Sequence, residues 1–292
     1  MLHQLLPVPT LLHSKGQLLD LSGPIVMGIL NATPDSFYNK GQDNDMDALL
    51  RNAEKMIGEG AKILDIGGAS TKPGSAIIEV EEELRRVIPV IEAIYKHFPD
   101  TWLSTDTYHA RVAREAVNAG AAIINDVSSG DIDAEMLKTV AELKVPYIAM
   151  HMQGTPETMQ QNPQYTDAVT EVQNYLHNIY DNCKAHGIHD VIIDPGFGFG
   201  KTTEHNFQLL RTVHTLRILG RPILAGISRK SIVCKPLKVS PANALNGTTA
   251  LHMIALQQGA NILRVHDVQE AVECIKLWGW VQDQNATIPD GA

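Results

Sequence analysis

The sequence is poor in cysteine, has no excess of positive charge and contains no long apolar run. Its three cysteines, Cys183, Cys234 and Cys274, show no Cys-x-x-Cys spacing, which argues against a disulfide framework or a cysteine-based zinc site. Lys and Arg total 24 against 33 Asp and Glu, a net charge of −9, so the basic footprint of a nucleic-acid-binding protein is missing. No apolar run approaches the roughly 18 residues of a membrane span, and the N-terminus lacks the charged start of a signal peptide. We therefore expect a cytoplasmic protein that binds neither nucleic acid nor membrane.

Eight short, nearly continuous apolar runs recur along the chain, and helical patterns lie between several of them. The runs cover residues 26–30, 61–67, 101–106, 121–127, 146–151, 190–195, 222–228 and 261–267. Such runs are typical of parallel strands that are covered by helices. They predict an α/β fold, a single (β/α)8 TIM barrel over residues 23–282, with a short N-terminal cap at 1–22 and a loose C-terminal tail at 283–292. A doubly wound open sheet is the alternative.

Polar residues stand at the carboxyl ends of the predicted strands, where barrels of this type carry their active sites. These residues are Asn31, Asp65, Asp106, Asn125, His151, Asp194, Ser228 and His266. Any one of them alone is explained as a helix cap or turn anchor, but together they would converge on one mouth.

The types of these residues indicate a ligand. Asp106, Asn125 and Asp194 offer acceptors and an amide donor that suit a flat heterocycle with an amino group and ring N–H donors, and Lys230 adds a cation. Arg264 and His266 are two apart on one strand and should face the same side. With Asn31 they form a candidate site for an anionic leaving group.

A glycine-rich stretch, PGFGFGKT at 195–202, looks like a phosphate-binding loop but departs from both known patterns. Pro195 stands where the P-loop requires glycine, and Lys201 occupies the last glycine position of the dinucleotide-binding motif. We therefore assign it no nucleotide-binding role.

Motifs in order along the chain, from about residue 15 to 280, resemble those of the dihydropteroate synthase family. They are MGILNATPDSF (27–37), DIGG-x-STxPG (65–74), STDT (104–107), INDVS (124–128), MHMQGTPETMQ (150–160), DPGFGFGK (194–201), GISRKS (226–231) and RVHDV (264–268). The resemblance implies a transferase of folate biosynthesis that joins 6-hydroxymethyl-7,8-dihydropterin pyrophosphate to p-aminobenzoate, giving 7,8-dihydropteroate and pyrophosphate. It also implies a homodimer built through late barrel helices, here within 203–282.

The resemblance further implies a role for each matching residue. The pterin would be held by Asp106, Asn125, Asp194, Lys230 and Met150. The pyrophosphate would be bound by Asn31, Thr71, Arg264 and His266, with Mg2+ as cofactor at Asn31. The p-aminobenzoate pocket would be lined by Phe37, Pro73, Phe199 and Ser231. The residues that would carry catalysis are Asp106, Lys230 and Asn31.

The second βα loop departs from the family pattern at two positions. Ala69 stands where the family usually has Glu, and Lys72 where Arg is usual. Because Lys does not replace Arg at a bidentate site, an anion at Lys72 would be bound less specifically.

Two alternatives to the synthase remain open from the sequence. A pterin-binding methyltransferase of the same superfamily would share the barrel and the pterin carboxylates, but it would not need Ser228 to Ser231 or the Arg264 and His266 pair. A catalytically silent pterin-binding paralogue is supported only by Ala69 and Lys72.

Overall fold

The computed structural model of the protein describes residues 8–32, 42–69, 74, 75 and 78–282, and within helix residues 42–45 it describes the backbone only. The sequence predictions for Phe37, Thr71, Lys72 and Pro73, and for the segments 1–7 and 283–292, lie outside the described residues.

Eight parallel strands form a closed ring. They are β3 (Ile25–Asn31), β4 (Ile63–Gly67), β5 (Trp102–Asp106), β6 (Ile123–Asp126), β7 (Tyr147–Met150), β8 (Val191–Asp194), β9 (Leu224–Ala225) and β10 (Ile262–Val265). Each of β3 to β7 pairs with the next strand, β9 pairs with β10, and β10 pairs back with β3. Between β8 and β9 the ring closes through a bridge from Ile193 to Ile223. The predicted barrel is therefore confirmed, and the doubly wound open sheet is excluded.

The strand β9 is shorter than predicted. Its apolar run spans 222–228, but only Leu224 and Ala225 are in a regular strand. Pro222 at the start of the run has no N–H to donate to a ladder, although its carbonyl accepts from the Ile193 N–H at 2.8 Å.

Helices surround the ring on the outside. Those in the described part of the chain are α1 (Gln42–Gly58), α2 (Val80–His97), α3 (Ala110–Ala119), α4 (Met136–Leu143), α5 (Ala168–His186), α6 (Thr203–Thr212), α7 (Ser231–Leu237), α8 (Leu245–Gln257) and α9 (Val268–Gln282). Short 3-10 helices follow at Val213–Leu219 and Pro241–Asn243. Within the described residues, no helix has both the length and the apolar character needed to cross a bilayer.

An antiparallel hairpin precedes the barrel. Its strands are β1 (Leu11–Ser14) and β2 (Gln17–Asp20). Leu12 and Leu19 are buried in one apolar cluster with the inward-facing residues at the starts of the barrel strands, such as Met27 and Ile63. The hairpin therefore covers the N-terminal end of the barrel, opposite to the end at which the strands finish.

Strand periodicity places the candidate site directly above this apolar layer. Side chains two residues apart on a strand point the same way. The layer includes Ile63, Ile123, Ile148, Ile192 and Ile262. Two positions further along the same strands stand Asp65, Asn125, Met150, Asp194 and Arg264. The interior of the barrel thus changes from an apolar floor to a mainly polar layer within one inward-facing step.

Candidate active site

A buried ion-pair cluster spans the mouth of the barrel. Arg264 on β10 donates from Nε to Asp65 Oδ2 and from Nη2 to Asp106 Oδ2, each at 2.6 Å. Asn125 Nδ2 donates to the same Asp65 oxygen at 3.0 Å. One guanidinium therefore reaches from β10 to carboxylates on β4 and β5 and fixes the relative positions of three strand ends.

The cluster leaves acceptor oxygens without protein partners. Within the described part of the chain, Asp65 Oδ1 and Asp106 Oδ1 are buried and have no hydrogen-bond partner. Burial raises the pKa of Asp106 to about 7, although the Arg264 charge acts in the opposite direction. Burial also acts to lower the pKa of Arg264, but Asp65 and Asp106 raise it overall. An unpaired buried acceptor is costly, so the Asp106 oxygen is suited to an N–H donor from a ligand.

Two side chains of opposite charge, Asp194 and Lys230, lie on the β8 and β9 side of the mouth. Asp194 Oδ1 accepts from the Gly196 N–H at 2.7 Å. Lys230 Nζ donates to the Phe197 carbonyl at 2.8 Å and lies 4.5 Å from the centre of the Phe199 ring. Burial lowers the pKa of Lys230 to about 8, with Asp194 opposing that shift. Burial raises the pKa of Asp194, with Lys230 as the main opposing charge.

His266 stands at the rim beside Ser228. Its Nδ1 lies 3.0 Å from Ser228 Oγ, which also accepts from the His266 N–H at 3.2 Å. Desolvation and the Arg264 charge lower the pKa of His266 to about 4, so the ring is neutral at pH 7. The strand β3, which ends at the exposed Asn31, pairs with β10. This arrangement leaves neutral donors and acceptors at the rim next to the partly buried Arg264 guanidinium.

Arg229, the residue before Lys230, has a structural role. Its Nε and Nη2 donate to the two carboxylate oxygens of Asp267 at 2.8 and 2.7 Å, and Nη1 donates to the Pro241 and Ala242 carbonyls. This bidentate pair joins the loops that follow β9 and β10. It thereby holds Lys230 and His266 on adjacent segments.

An apolar cluster covers the side of the mouth formed by the loops after β4 to β8. Its buried members are Ala69, Tyr108, Val127, Met150, Met152, Met159 and Phe199. The predicted ligand residues Met150 and Phe199 are therefore neighbours in one cluster. Ser231 begins α7, close to the Phe199 loop: a Cβ placed on Gly198 would lie 3.9 Å from Ser231 Oγ.

Sequence reasoning missed two residues of this region. Asp65 is predicted as a strand end and as part of a family motif, without a role of its own, whereas it links Arg264 to Asn125. Lys201 belongs to the rejected nucleotide-binding pattern and to one family motif and has no predicted role, whereas it is buried to 1% exposure beneath the glycine-rich loop. One sequence feature could have identified Asp65. It stands two residues after Ile63 on the same strand, so its side chain faces the barrel interior, where a charge requires a partner.

No set of three His, Cys, Asp or Glu residues that could hold a metal ion occurs in the part of the chain that the structure describes. Asn31 is a neutral oxygen donor at the end of β3. A Mg2+ ion at this place would take most of its ligands from substrate phosphates and water, as this ion commonly does.

The chain belongs to a family of pterin-binding enzymes: the family model described as "Pterin binding enzyme" matches residues 27–266. It is 46% identical to the dihydropteroate synthase of Escherichia coli K12 over 91% of this chain and 94% of that protein. The chain also resembles the structure of the Xanthomonas albilineans dihydropteroate synthase with 4-aminobenzoic acid, with 43% sequence identity and a TM-score of 0.87. The match covers 94% of this chain and 98% of that one. The complex of that enzyme with 7,8-dihydropteroate gives 41% identity, coverage of 93% and 98%, and a TM-score of 0.84.

Within this family the function is that of the dihydropteroate synthases, which are transferases of folate biosynthesis. The resemblance stated from the sequence motifs is thus confirmed. The relatives also favour the synthase over the methyltransferase alternative.

Proposed function

We propose that this chain condenses 6-hydroxymethyl-7,8-dihydropterin pyrophosphate with p-aminobenzoate at the mouth of the barrel, with the residues named from the sequence. The observation that carries the assignment is the convergence of the buried Asp106, Asn125 and Asp194 and the partly buried Lys230 at one mouth, with an Asp106 oxygen that has no partner among the described residues. The neighbour structures with 4-aminobenzoic acid and 7,8-dihydropteroate support the same pair of ligands.

The pterin binds in the buried polar layer. The carboxylates of Asp106 and Asp194 accept from its amino group and ring N–H donors, and Asn125 supplies both an acceptor and a donor. Lys230 donates to a ring acceptor, and Met150 packs against the ring. A flat heterocycle satisfies these groups without leaving a buried charge unpaired.

The pyrophosphate binds at the rim, over β10 and β3. Arg264 uses two of its nitrogens for Asp65 and Asp106, which leaves Nη1 without a protein partner among the described residues and available to the leaving group. His266 and Asn31 add uncharged contacts, and Thr71 is assigned to the same group from its motif. Asn31 and the substrate phosphates would hold Mg2+, which would supply charge neutralisation for the pyrophosphate.

The reaction breaks the C–O bond between the pterin methylene and the pyrophosphate, and the electron pair leaves with the pyrophosphate. The nitrogen lone pair of p-aminobenzoate then forms the new C–N bond, and the nitrogen loses a proton. Ionised Asp106 stabilises the positive charge that develops on the pterin. The arylamine is already neutral near pH 7, so the protein needs chiefly to position it. Phe199 and Ser231, with Phe37 and Pro73 from their motifs, line its pocket.

We assign the protein to the cytoplasm and to a homodimeric state. Exposed apolar side chains on the late helices support the dimer. They are Phe207 on α6, Leu237 on α7, Ile254 on α8, and Leu277, Trp280 and Val281 on α9. Since α7 packs against α8 and α8 against α9, these residues offer exposed apolar area on neighbouring helices, of the kind that a second protein copy covers.

Pyrophosphate release tests the proposal directly. The purified chain with Mg2+ and both substrates should release pyrophosphate and form 7,8-dihydropteroate, and omission of p-aminobenzoate should abolish the product. Pterin binding without release would favour the silent paralogue. Methyl transfer from a methylated pterin would favour the methyltransferase.

A further inference from the structure

Lys201 is a buried lysine that the reaction described above does not use. It follows the glycine-rich loop after β8 and is only 1% exposed. Its Nζ lies 2.8 Å from His151 Nδ1, 2.9 Å from the Gly196 carbonyl, 3.0 Å from the Phe199 carbonyl and 3.1 Å from the His151 carbonyl. Two of these partners belong to the loop after β8 and two belong to the residue that follows β7.

The partners of Lys201 are all acceptors. Burial lowers the pKa of His151 to about 2, so its ring is neutral and can accept at Nδ1. Three carbonyl oxygens and one imidazole nitrogen surround the amino group, which as an ammonium has three N–H donors to share among these four acceptors. Burial lowers the pKa of Lys201 well below its ordinary value, with Asp194 opposing that shift. Removal of the amino group would leave four acceptors of the two loops without their shared donor.

The two loops approach each other closely enough to require glycine. Gly196 has a φ of 69°, and a Cβ built there would lie 1.9 Å from the His151 carbonyl oxygen. Gly200 has a φ of 61°, and its Cβ would lie 2.4 Å from the Gln153 carbonyl oxygen. Only a residue without a side chain fits such a contact at positive φ. Lys201 thus lies where the backbones of the two loops meet.

The segment that Lys201 holds carries contacts of the candidate site. The Gly196 carbonyl bonds to Lys201, while the Gly196 N–H donates to Asp194. The Phe199 carbonyl also bonds to Lys201, while the Phe199 ring faces Lys230. The Phe197 carbonyl between them accepts from Lys230. The ring of Phe199 and the amino group of Lys230 are therefore oriented by a loop whose two ends are fixed by Lys201.

We propose that Lys201 is a positioning residue for p-aminobenzoate: its buried amino group holds the loop after β8 against the loop after β7, so that Phe199 presents the geometry that the arylamine requires. This inference rests on the proposed function of the site. It predicts a larger effect on p-aminobenzoate than on the pterin. The pterin contacts at Asp106 and Asn125 belong to β5 and β6, which Lys201 does not touch, and only Asp194 and Lys230 bond to the loop after β8.

The test compares the two substrates in Lys201→Met, which keeps the side-chain stem and removes the amino group. We expect the KM for p-aminobenzoate to rise about tenfold, since small misplacements of a positioned group have effects of this size. The KM for the pterin pyrophosphate should stay within about twofold of wild type. The control is Lys138→Met on the surface of α4, where the lysine side chain is 64% exposed; it should change neither value.

A purely structural role would lower kcat through loss of active enzyme and leave both KM values unchanged, and that result overturns the proposal. A parallel rise of both KM values also overturns it.

If Lys201→Met does not fold, His151→Leu and His151→Asn provide a second test of the proposal, because the asparagine keeps an acceptor near the Nδ1 position and the leucine does not. A rise in the KM for p-aminobenzoate in the leucine variant alone supports the proposal, and equal values overturn it. A wild-type chain that releases no pyrophosphate would contradict the proposed function instead.

Discussion

Asp194 shows how a single inward-facing residue determines what the mouth can bind. Its Oδ1 accepts from the Gly196 N–H, and the carboxylate lies among Lys230, Arg264 and Lys201. We predict that Asp194→Ala abolishes turnover and weakens pterin binding by roughly 1–3 kcal/mol or more, because a bound pterin would lose an acceptor for its donors. Calorimetric titration with a pterin measures this, and circular dichroism checks that the barrel is folded. The control is Asp181→Ala on the exposed face of α5; near-normal pterin binding by Asp194→Ala would contradict the assignment.

The buried charges Asp106 and Lys230 also predict how activity depends on pH. The pKa of Asp106 is raised to about 7, so the ionised form that stabilises a cationic pterin accumulates as the pH rises through that value. The pKa of Lys230 is lowered to about 8, so the ammonium is lost above it. We expect kcat/KM for the pterin substrate to be bell-shaped, with a maximum between these two values.

Variants test which residue causes the acid limb and which the basic limb of this pH profile. In pterin-binding titrations, Asp106→Asn should remove the acid limb, and Lys230→Met should remove the basic limb. A binding profile that is flat between pH 6 and 9, about one unit beyond either pKa, would show that neither group controls recognition.

The ion pairs of Arg264 change the way in which its role must be tested. Arg264→Ala would leave Asp65 and Asp106 without their cation, so it should weaken binding of a plain pterin as well as of the pterin pyrophosphate. His266→Ala avoids this difficulty, because the ring contacts Ser228 and not the pterin carboxylates. We expect His266→Ala to lower affinity for the pterin pyrophosphate by about 0.5–1.5 kcal/mol and to leave plain pterin unchanged in calorimetry. Equal losses for both ligands would remove His266 from the leaving-group site.

At the scale of elements, the apolar runs predicted where the strands lie because each buried strand is apolar on both of its faces. The same runs predicted the ring of polar residues at the carboxyl ends of the strands, because each run stops at a polar residue. The pairing of Arg264 with Asp65 did not, since the two residues are 199 positions apart and only closure of the barrel brings them together. The burial of Lys201 was missed for the same reason: its partners lie on two different loops.

The β1–β2 hairpin allows a separate test of what the N-terminal end contributes. Leu12 is buried against the barrel floor, whereas Leu18 on the same hairpin is 63% exposed. We predict that Leu12→Ala lowers the free energy of unfolding by about 2–5 kcal/mol, with kcat and KM unchanged at the permissive temperature. Leu18→Ala should have almost no effect on either quantity. Denaturant unfolding measures the free energy, and steady-state kinetics measure kcat and KM. A loss of substrate affinity in Leu12→Ala would show that packing at the apolar floor affects the site.

On the scale of the whole molecule, the barrel separates stability from chemistry along its axis. The apolar floor and the hairpin close one end, and the charged layer occupies the other. The buried carboxylates of Asp65 and Asp106 are tolerated because they pair with Arg264. A polar ligand would satisfy the acceptor oxygens that remain. The proposed dimer would use neither end, since the exposed apolar residues that support it belong to the late helices.

This geometry leads to a prediction for the assembly. Leu277 and Val281 are one helical turn apart on α9 and are 62% and 68% exposed, so both face away from the barrel on the same side. The double variant Leu277→Glu, Val281→Glu should convert a dimer to a monomer, because two carboxylates per chain would be desolvated in the interface. Sedimentation equilibrium measures the mass.

Leu18→Glu is the matched control, since it places a charge at an equally exposed leucine on the hairpin and should leave the mass at that of a dimer. A wild-type chain that sediments at its monomer mass of 32.0 kDa, or a double variant that remains dimeric, would place the interface elsewhere or remove it. The monomeric variant should retain pterin binding, because α9 presents these side chains outward and the pterin-binding residues lie inside the ring of strands.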